Sequence, residues 1–212
     1  MQIADNRQSA MGRFSKLIKS GSVEPAAEAP SPLEAEVQRL RRENRALVIA
    51  LEEMERIAQR DVLTSLFNRR YFMTALQQRI ARVQRYGEDV ALIYVDVNGL
   101  KAINDRYGHH AGDRVLIEIG RRLLAAMRES DVVARIGGDE FALLIDHVDA
   151  AAAQTKITQL HRAISATAVQ HRGEDIALSA AFGMAMIGPD HHADDLLTRA
   201  DEDMYRAKRA AD

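Results

Sequence analysis

The sequence predicts an α+β domain, helices covering a mainly antiparallel sheet, preceded by an N-terminal helix with a coiled-coil seam. Three observations lead there. Apolar runs near 90–97, 131–136, 140–146 and 176–187 have strand length and alternate with longer segments of helical period. Two of these runs flank Gly137-Gly138, which reads as a hairpin turn in which adjacent glycines supply positive φ. Upstream, Leu33, Val37, Leu40, Asn44, Leu47, Leu51, Met54 and Ala58 recur in steps of four and three.

The chain has 212 residues, room for one domain of ordinary size and an appendage. A formal net charge of −2 gives no footing for wholesale nucleic-acid binding. There is no cysteine, which removes disulfides and thiolate metal sites. His109-His110 and His191-His192 are adjacent pairs, and sequence neighbours rarely turn both rings to one ion, so zinc is not indicated. No apolar run approaches a membrane span and no secretory pattern opens the chain, so a cytoplasmic protein is expected.

Residues 1–32 read as a flexible segment and linker. Within them Met11, Phe14, Leu17 and Ile18 fall at helical spacing among Arg13, Lys16 and Lys19. This is the pattern of a short basic amphipathic helix over 11–19 for a membrane surface or a partner; a frayed tail is the plainer reading. Residues 33–60 read as a dimeric stalk with Val37, Asn44, Leu51 and Ala58 at a and Leu33, Leu40, Leu47 and Met54 at d. Leucine at d with a β-branched residue or asparagine at a favours a parallel pair, and a buried Asn44 fixes register at some cost in stability. Glu36 at g is placed to reach Arg41 at e of a second copy. The alternative is a single helix packing this stripe on its own domain.

Residues 61–212 form the compact part. Arg69 to Tyr86 has a helical period through Phe72, Leu76, Ile80 and Val83 and stops at Gly87. Val90 to Val97 is strand, and Asp113 to Arg128 is helix with Val115, Leu116, Ile119, Leu123 and Met127 inward. Its acidic start and basic finish suit the helix dipole. The hairpin strands follow, then a helix over 150–167, strands over 169–172 and 176–187, and a last helix over 193–210.

Asp139 and Glu140 stand in the predicted turn, and Asp96 ends the run Ala91-Leu92-Ile93-Tyr94-Val95-Asp96. With those strands adjacent, three carboxylates converge at one sheet edge without a cationic partner in sequence. That combination suits a hard divalent cation such as Mg²⁺, which in turn suits nucleotide phosphates. Gly-Gly-Asp is also ordinary turn composition, and acidic strand ends are commonly just solvated.

Gly137-Gly138-Asp139-Glu140-Phe141 resembles the signature of the GGDEF family, the diguanylate cyclases. The likeness continues through Asp61-Val62-Leu63-Thr64-Ser65-Leu66-Phe67-Asn68-Arg69-Arg70 and Asp96-Val97-Asn98-Gly99-Leu100-Lys101-Ala102-Ile103-Asn104-Asp105. It extends to Gly108-His109-His110-Ala111-Gly112-Asp113 and to the run from Ala200 to Lys208, in the family's order. The resemblance implies a palm-like, ferredoxin-related sheet and condensation of two GTP into cyclic di-GMP with loss of two pyrophosphates. It implies Mg²⁺, or Mn²⁺, held by Asp96, the Val97 carbonyl and one or both of Asp139 and Glu140, one of which assists deprotonation of the 3′-hydroxyl. Gly137 and Gly138 keep the turn clear for the nucleotide.

By the same resemblance Asn104 and Asp113 read guanine, whose N1–H and N2–H donors adenine lacks. Lys101 and Lys208 contact phosphate, although solvated surface charge is the commoner fate of a lysine. Arg128-Glu129-Ser130-Asp131 is similar to the family's inhibitory product site, with Arg162 as a supplementary arginine. Asn98, Leu100 and Ser65 depart mildly from the common pattern, and Asp212 stands where a phosphate-holding arginine falls. A homodimer follows from the need for two GTP. The alternative function is a non-catalytic receptor of GTP or cyclic di-GMP signalling through the coiled coil; a third is a coiled-coil scaffold whose globular part docks partners.

Overall fold

The computed structural model describes residues 31–211; the stretch over 11–19 and Asp212 lie outside the described residues. The first helix, α1 (Pro32–Ala58), opens with a reciprocal cap: Ser31 N–H donates to Glu34 at 2.7 Å and Glu34 N–H to Ser31 Oγ at 3.3 Å. Proline at the first helical position fits, since its missing N–H would have had no partner there. The d-position side chains are bare: Leu33, Leu40, Leu47 and Met54 are 74, 50, 70 and 67 % exposed. Val48 and Ile49, off that seam, are exposed too. Within the helix Glu36 pairs with Arg39 at 2.7 Å. The division between compact units falls between Glu52 and Glu53, inside α1. Among the described residues no helix is long and apolar enough to cross a membrane.

In the second unit the order is β1 (Phe67–Asn68), α2 (Arg69–Tyr86), β2 (Val90–Val97), α3 (Leu100–Tyr107), α4 (His109–Ala125), β3 (Val132–Arg135) and β4 (Glu140–Asp146). Then come α5 (Ala150–Ser165), β5 (Val169–His171), β6 (Glu174–Ile176), β7 (Ala180–Met186) and α6 (Ala193–Ala211). Five strands pair in the order β1-β3-β4-β2-β7, all antiparallel except β1 with β3. The sheet has helices on both faces. Ile93, Val95, Phe141 and Leu143 bury toward α4 and α5, while Leu92, Tyr94, Ala142 and Leu144 bury toward α2 and α6. Burial on both faces is why β2 and β4 read as continuous apolar runs rather than alternating ones.

Caps fix where helices begin and end. Asn68 accepts from Tyr71 N–H at 3.1 Å at the start of α2, and Gly87, in the left-handed region, ends it. Asp149 starts α5 by accepting from Ala152 N–H at 2.7 Å. The connection between α6 and the sheet is made by an absent side chain. A Cβ at Gly183 would lie 2.1 Å from the Met204 nitrogen and 2.2 Å from the Ala200 carbonyl, so α6 rests its backbone directly on β7. Asp203 of α6 also accepts the Met184 N–H at 3.0 Å, satisfying an amide of this edge strand.

Several elements differ from the sequence expectation. Helix α3 was not expected: none of its side chains is fully buried, so the apolar stripe that marks a helix is weak. Helix α4 begins at His109 rather than Asp113 and ends at Ala125. The strand expected over 176–187 is shorter: β7 covers Ala180–Met186 in the main sheet, while Ile176 ends β6, which pairs with β5. In–out alternation continues across Ala177 to Ser179, so the sequence carries no mark of the change of pairing partner.

Candidate active site

Strands β2 and β4 run antiparallel with Asp96 directly opposite Glu140. Directly opposed residues share a face, with Cβ atoms about 4.5–5.5 Å apart. The two carboxylates therefore meet at the sheet end, on the face covered by α2 and α6. The turn between β3 and β4 is tied to the end of β2 by the Val97 N–H, which donates to the Asp139 carbonyl at 3.0 Å. Within the turn the Ile136 and Gly137 N–H groups both donate to the Glu140 carbonyl, at 2.9 and 3.3 Å.

Neither Gly137 nor Gly138 has positive φ, which corrects the expectation of a primed turn. Gly137 is required for closeness instead. A Cβ there would lie 2.0 Å from Glu140 Oε2 and 2.9 Å from its carboxyl carbon, so the Glu140 side chain folds across the bare glycine. Gly138 faces open space. Its carbonyl accepts from the Arg135 guanidinium at 2.6 and 3.2 Å, and the same guanidinium lies 3.3 Å from Asp61. Partial burial works to raise the Asp61 pKa, but hydrogen bonds from the Thr64 hydroxyl and N–H and the Arg135 charge hold it below the usual carboxylate range. The block beginning at Asp61 thus braces the turn from 74 residues away in sequence. The sequence reading placed that block but gave it no role.

The strand register pairs two of the three expected carboxylates, Asp96 and Glu140. Among the described residues no group of three or more histidine, aspartate or glutamate side chains is placed to hold a metal. Asp139 sits in the turn, one residue before β4. A cationic partner also arrives from far along the chain: Lys208 of α6 donates to Asp96 Oδ1 at 2.7 Å, with Asp96 still 20 % exposed. Mg²⁺ is commonly held by one or two carboxylates with water and substrate phosphates rather than by an all-protein cage. The pair Asp96 and Glu140, beside the Val97 backbone, fits such an ion. Tyr94, on the same face two residues before Asp96, is buried; burial first, then hydrogen bonding to and the charge of Glu140, push its phenol pKa up.

Asn104 and Asp113, expected to read the base, stand on the successive helices α3 and α4. Asn104 on α3 lies against Gly112 on α4, where a Cβ would be 2.0 Å from Asn104 Oδ1, and Asp113 follows directly. That Oδ1 atom is buried without a hydrogen-bond partner among the described residues. Lys101 is exposed on the first turn of α3. Elsewhere, Arg128 and Asp131 line a cavity of about 390 Å³ together with His147, Lys156 and Gln159. Asp131 is buried and accepts the Arg128 N–H at 2.9 Å, while Arg128 is exposed. Arg162, in the last turn of α5, is not among the residues lining this cavity; Gln159, one turn earlier, is.

The family model described as diguanylate cyclase, GGDEF domain, matches residues 58–212. The bifunctional diguanylate cyclase/cyclic di-GMP phosphodiesterase MucR of Pseudomonas aeruginosa is 39 % identical over 164 residues, 77 % of this chain and 24 % of that protein. The diguanylate cyclase DgcP of the same organism is 36 % identical over 160 residues, again 24 % of its length. The chain thus spans about a quarter of these curated relatives. Among solved structures, the coiled coil and GGDEF domain of DgcB from Caulobacter crescentus in complex with c-di-GMP superposes with a TM-score of 0.77. It is 27 % identical and covers 85 % of this chain and 96 % of that one. The diguanylate cyclase SiaD of Pseudomonas aeruginosa, in complex with its activator SiaC, gives 0.73 at 28 % identity, covering 96 % and 74 %. The register of Asp96 against Glu140, the bare-glycine turn and the match over 58–212 agree, and the chain belongs to the GGDEF domain family of diguanylate cyclases.

Proposed function

We propose that the chain is a diguanylate cyclase, joining two GTP into cyclic di-GMP and releasing two pyrophosphates. The observation that supports this most is the Asp96–Glu140 pair under a turn whose Gly137 leaves room for the Glu140 carboxylate. In each half-reaction the 3′-oxygen of one nucleotide bonds to the α-phosphorus of the other. The bond from that phosphorus to the β-bridging oxygen breaks, and the hydroxyl proton passes to a nearby base. Asp139 and Glu140 are the candidate bases. A divalent ion, Mg²⁺ or Mn²⁺, bound by Asp96, the Val97 carbonyl and the acidic pair would supply charge neutralisation on the phosphates.

The protein's own groups set up that chemistry. Lys208 must let go of Asp96, and the phosphates of the nucleotide give its ammonium another anion to hold. Lys101 is the second phosphate contact. Asn104 and Asp113 accept from guanine N1–H and N2–H, and the unpaired Asn104 oxygen favours a ligand that donates. Adenine would leave those acceptors bare, a mismatch of about 1–3 kcal/mol per group.

One domain over 61–212 holds one GTP, and the product needs two, so the reading includes a homodimer through a parallel coiled coil over 33–60. It also includes product feedback at the cavity containing Arg128 and Asp131, with Arg162 as a supplementary arginine. Incubation of the purified chain with GTP and Mg²⁺ should yield cyclic di-GMP, and the double variant Asp139→Ala, Glu140→Ala should lose at least about 100-fold of that rate. Synthesis retained by the double variant refutes the site. Binding of GTP or cyclic di-GMP without synthesis by the unaltered chain would favour the receptor reading instead.

A further inference from the structure

A cavity of about 340 Å³ opens beside the site, lined by Asn98 and Gly99 after β2, Ala180 and Phe182 of β7, Lys208 of α6 and His161 of α5. The volume is in the range of ligand pockets, about 300–1,000 Å³. Lys208 belongs to both places: it lines this cavity and holds Asp96 at 2.7 Å. The cavity therefore begins where the metal-binding edge ends. No carboxylate lines it, and its ionisable groups, Lys208 and His161, are both bases. With a lysine and a histidine and no acid among its lining residues, this is a lining for an anion.

His161 comes from the other side of the sheet edge. Lys208 is on α6, on the face with Asp96, whereas His161 is on α5, which packs against the opposite face. Its ring lies against Phe182 with centroids 4.5 Å apart, tilted by 53°, and this contact fixes its direction while the residue stays accessible to solvent. Neither ring nitrogen has a protein partner among the described residues. Burial holds the His161 pKa below the ordinary imidazole value, so the ring meets an incoming phosphate oxygen as a neutral N–H donor.

We propose that His161 is a further substrate-binding residue, holding the terminal phosphates of the nucleoside triphosphate, and then the departing pyrophosphate, from the side of the cavity opposite Lys208. This rests on the cyclase reading above for the location of the α-phosphate. The sheet edge places the reacting phosphorus near Asp96 and Glu140, the base goes toward Asn104 and Asp113, and the cavity past Lys208 takes the remaining two phosphates. Nothing in the sequence pointed to His161, a lone histidine on a helix in no motif block.

The test compares GTP with GMP, which lacks the two phosphates in question. Binding of each is measured by calorimetry in the presence of Mg²⁺ for the unaltered chain and for His161→Ala, His161→Phe and His161→Gln, with melting temperature as a control for folding. His161→Phe keeps a ring against Phe182 without an N–H, and His161→Gln restores a donor. We expect His161→Ala and His161→Phe to weaken GTP and free pyrophosphate by about tenfold, leave GMP unchanged, and raise the KM for GTP more than they lower kcat. His161→Gln should recover part of the loss. GTP and GMP weakened equally, or GTP unweakened in His161→Phe, overturns the proposal, as does an unaltered chain that binds GMP as tightly as GTP. The comparison needs no turnover, so a chain that makes no cyclic di-GMP would sink the cyclase reading while still deciding this one.

Discussion

A methyl group at position 137 would land on Glu140 Oε2, 2.0 Å away, and its three nearest neighbours all belong to the Glu140 side chain. The obstacle is the mobile end of one side chain, so Gly137→Ala should cost little stability while moving the carboxylate from its place opposite Asp96. Because displacement of a reacting group by about 1 Å can cost roughly 100-fold in rate, turnover should fall on that order with a nearly unchanged melting temperature. A large drop in melting temperature, or unimpaired synthesis, would show that the glycine serves the fold instead. At this scale the sequence showed which residues were acidic and in what order. It did not show that the glycine serves close approach rather than turn geometry, because both uses select the same residue type. Nor did it show Lys208 on Asp96: the two are 112 positions apart, and only packing of α6 across Gly183 brings them to 2.7 Å.

Among elements, those with strong periods and caps were legible, and those defined by tertiary contacts were not. Asn68, Gly87 and Asp149 mark helix ends by local hydrogen bonds or backbone conformation, which neighbouring residues decide alone. Helix α3 and strand β1 have no such autonomy: β1 is two residues long and exists as a partner for β3. The segment between α4 and β3 is where the product-site reading is testable. Asp131 is buried and accepts the Arg128 N–H, whereas Arg128 is exposed and lines a cavity that Lys156 and Gln159 also line. Arg128→Ala should raise the cyclic di-GMP concentration giving half-inhibition by about tenfold or more, since a charge-assisted contact is lost. Inhibition curves that superpose with those of the unaltered chain would dismiss the product site.

For the whole molecule, the apolar seam of α1 poses the physical problem. Leu33, Leu47, Leu51 and Met54 are each at least 60 % exposed in the single chain, and apolar stripes of this kind mark an interaction surface. A second copy aligned in parallel would cover them and raise the effective concentration of a second catalytic domain to the millimolar order. Replacing Leu40 and Leu47 together by glutamate should give monomers by light scattering and synthesis that is lost at low protein concentration and rises steeply as protein is added. Full specific activity from demonstrated monomers would contradict the dimer reading.

By itself the sequence determined the family, the strand runs, the heptad stripe and the identity of the acidic residues, because each is written in local composition or in periods a few residues long. The tertiary structure alone decided which carboxylates oppose each other, which lysine reaches them, what the glycines are for, and that His161 faces the same cavity as Lys208. Those facts depend on register and on the packing of helices against opposite faces of one sheet, contacts between residues far apart in the chain that no local pattern encodes.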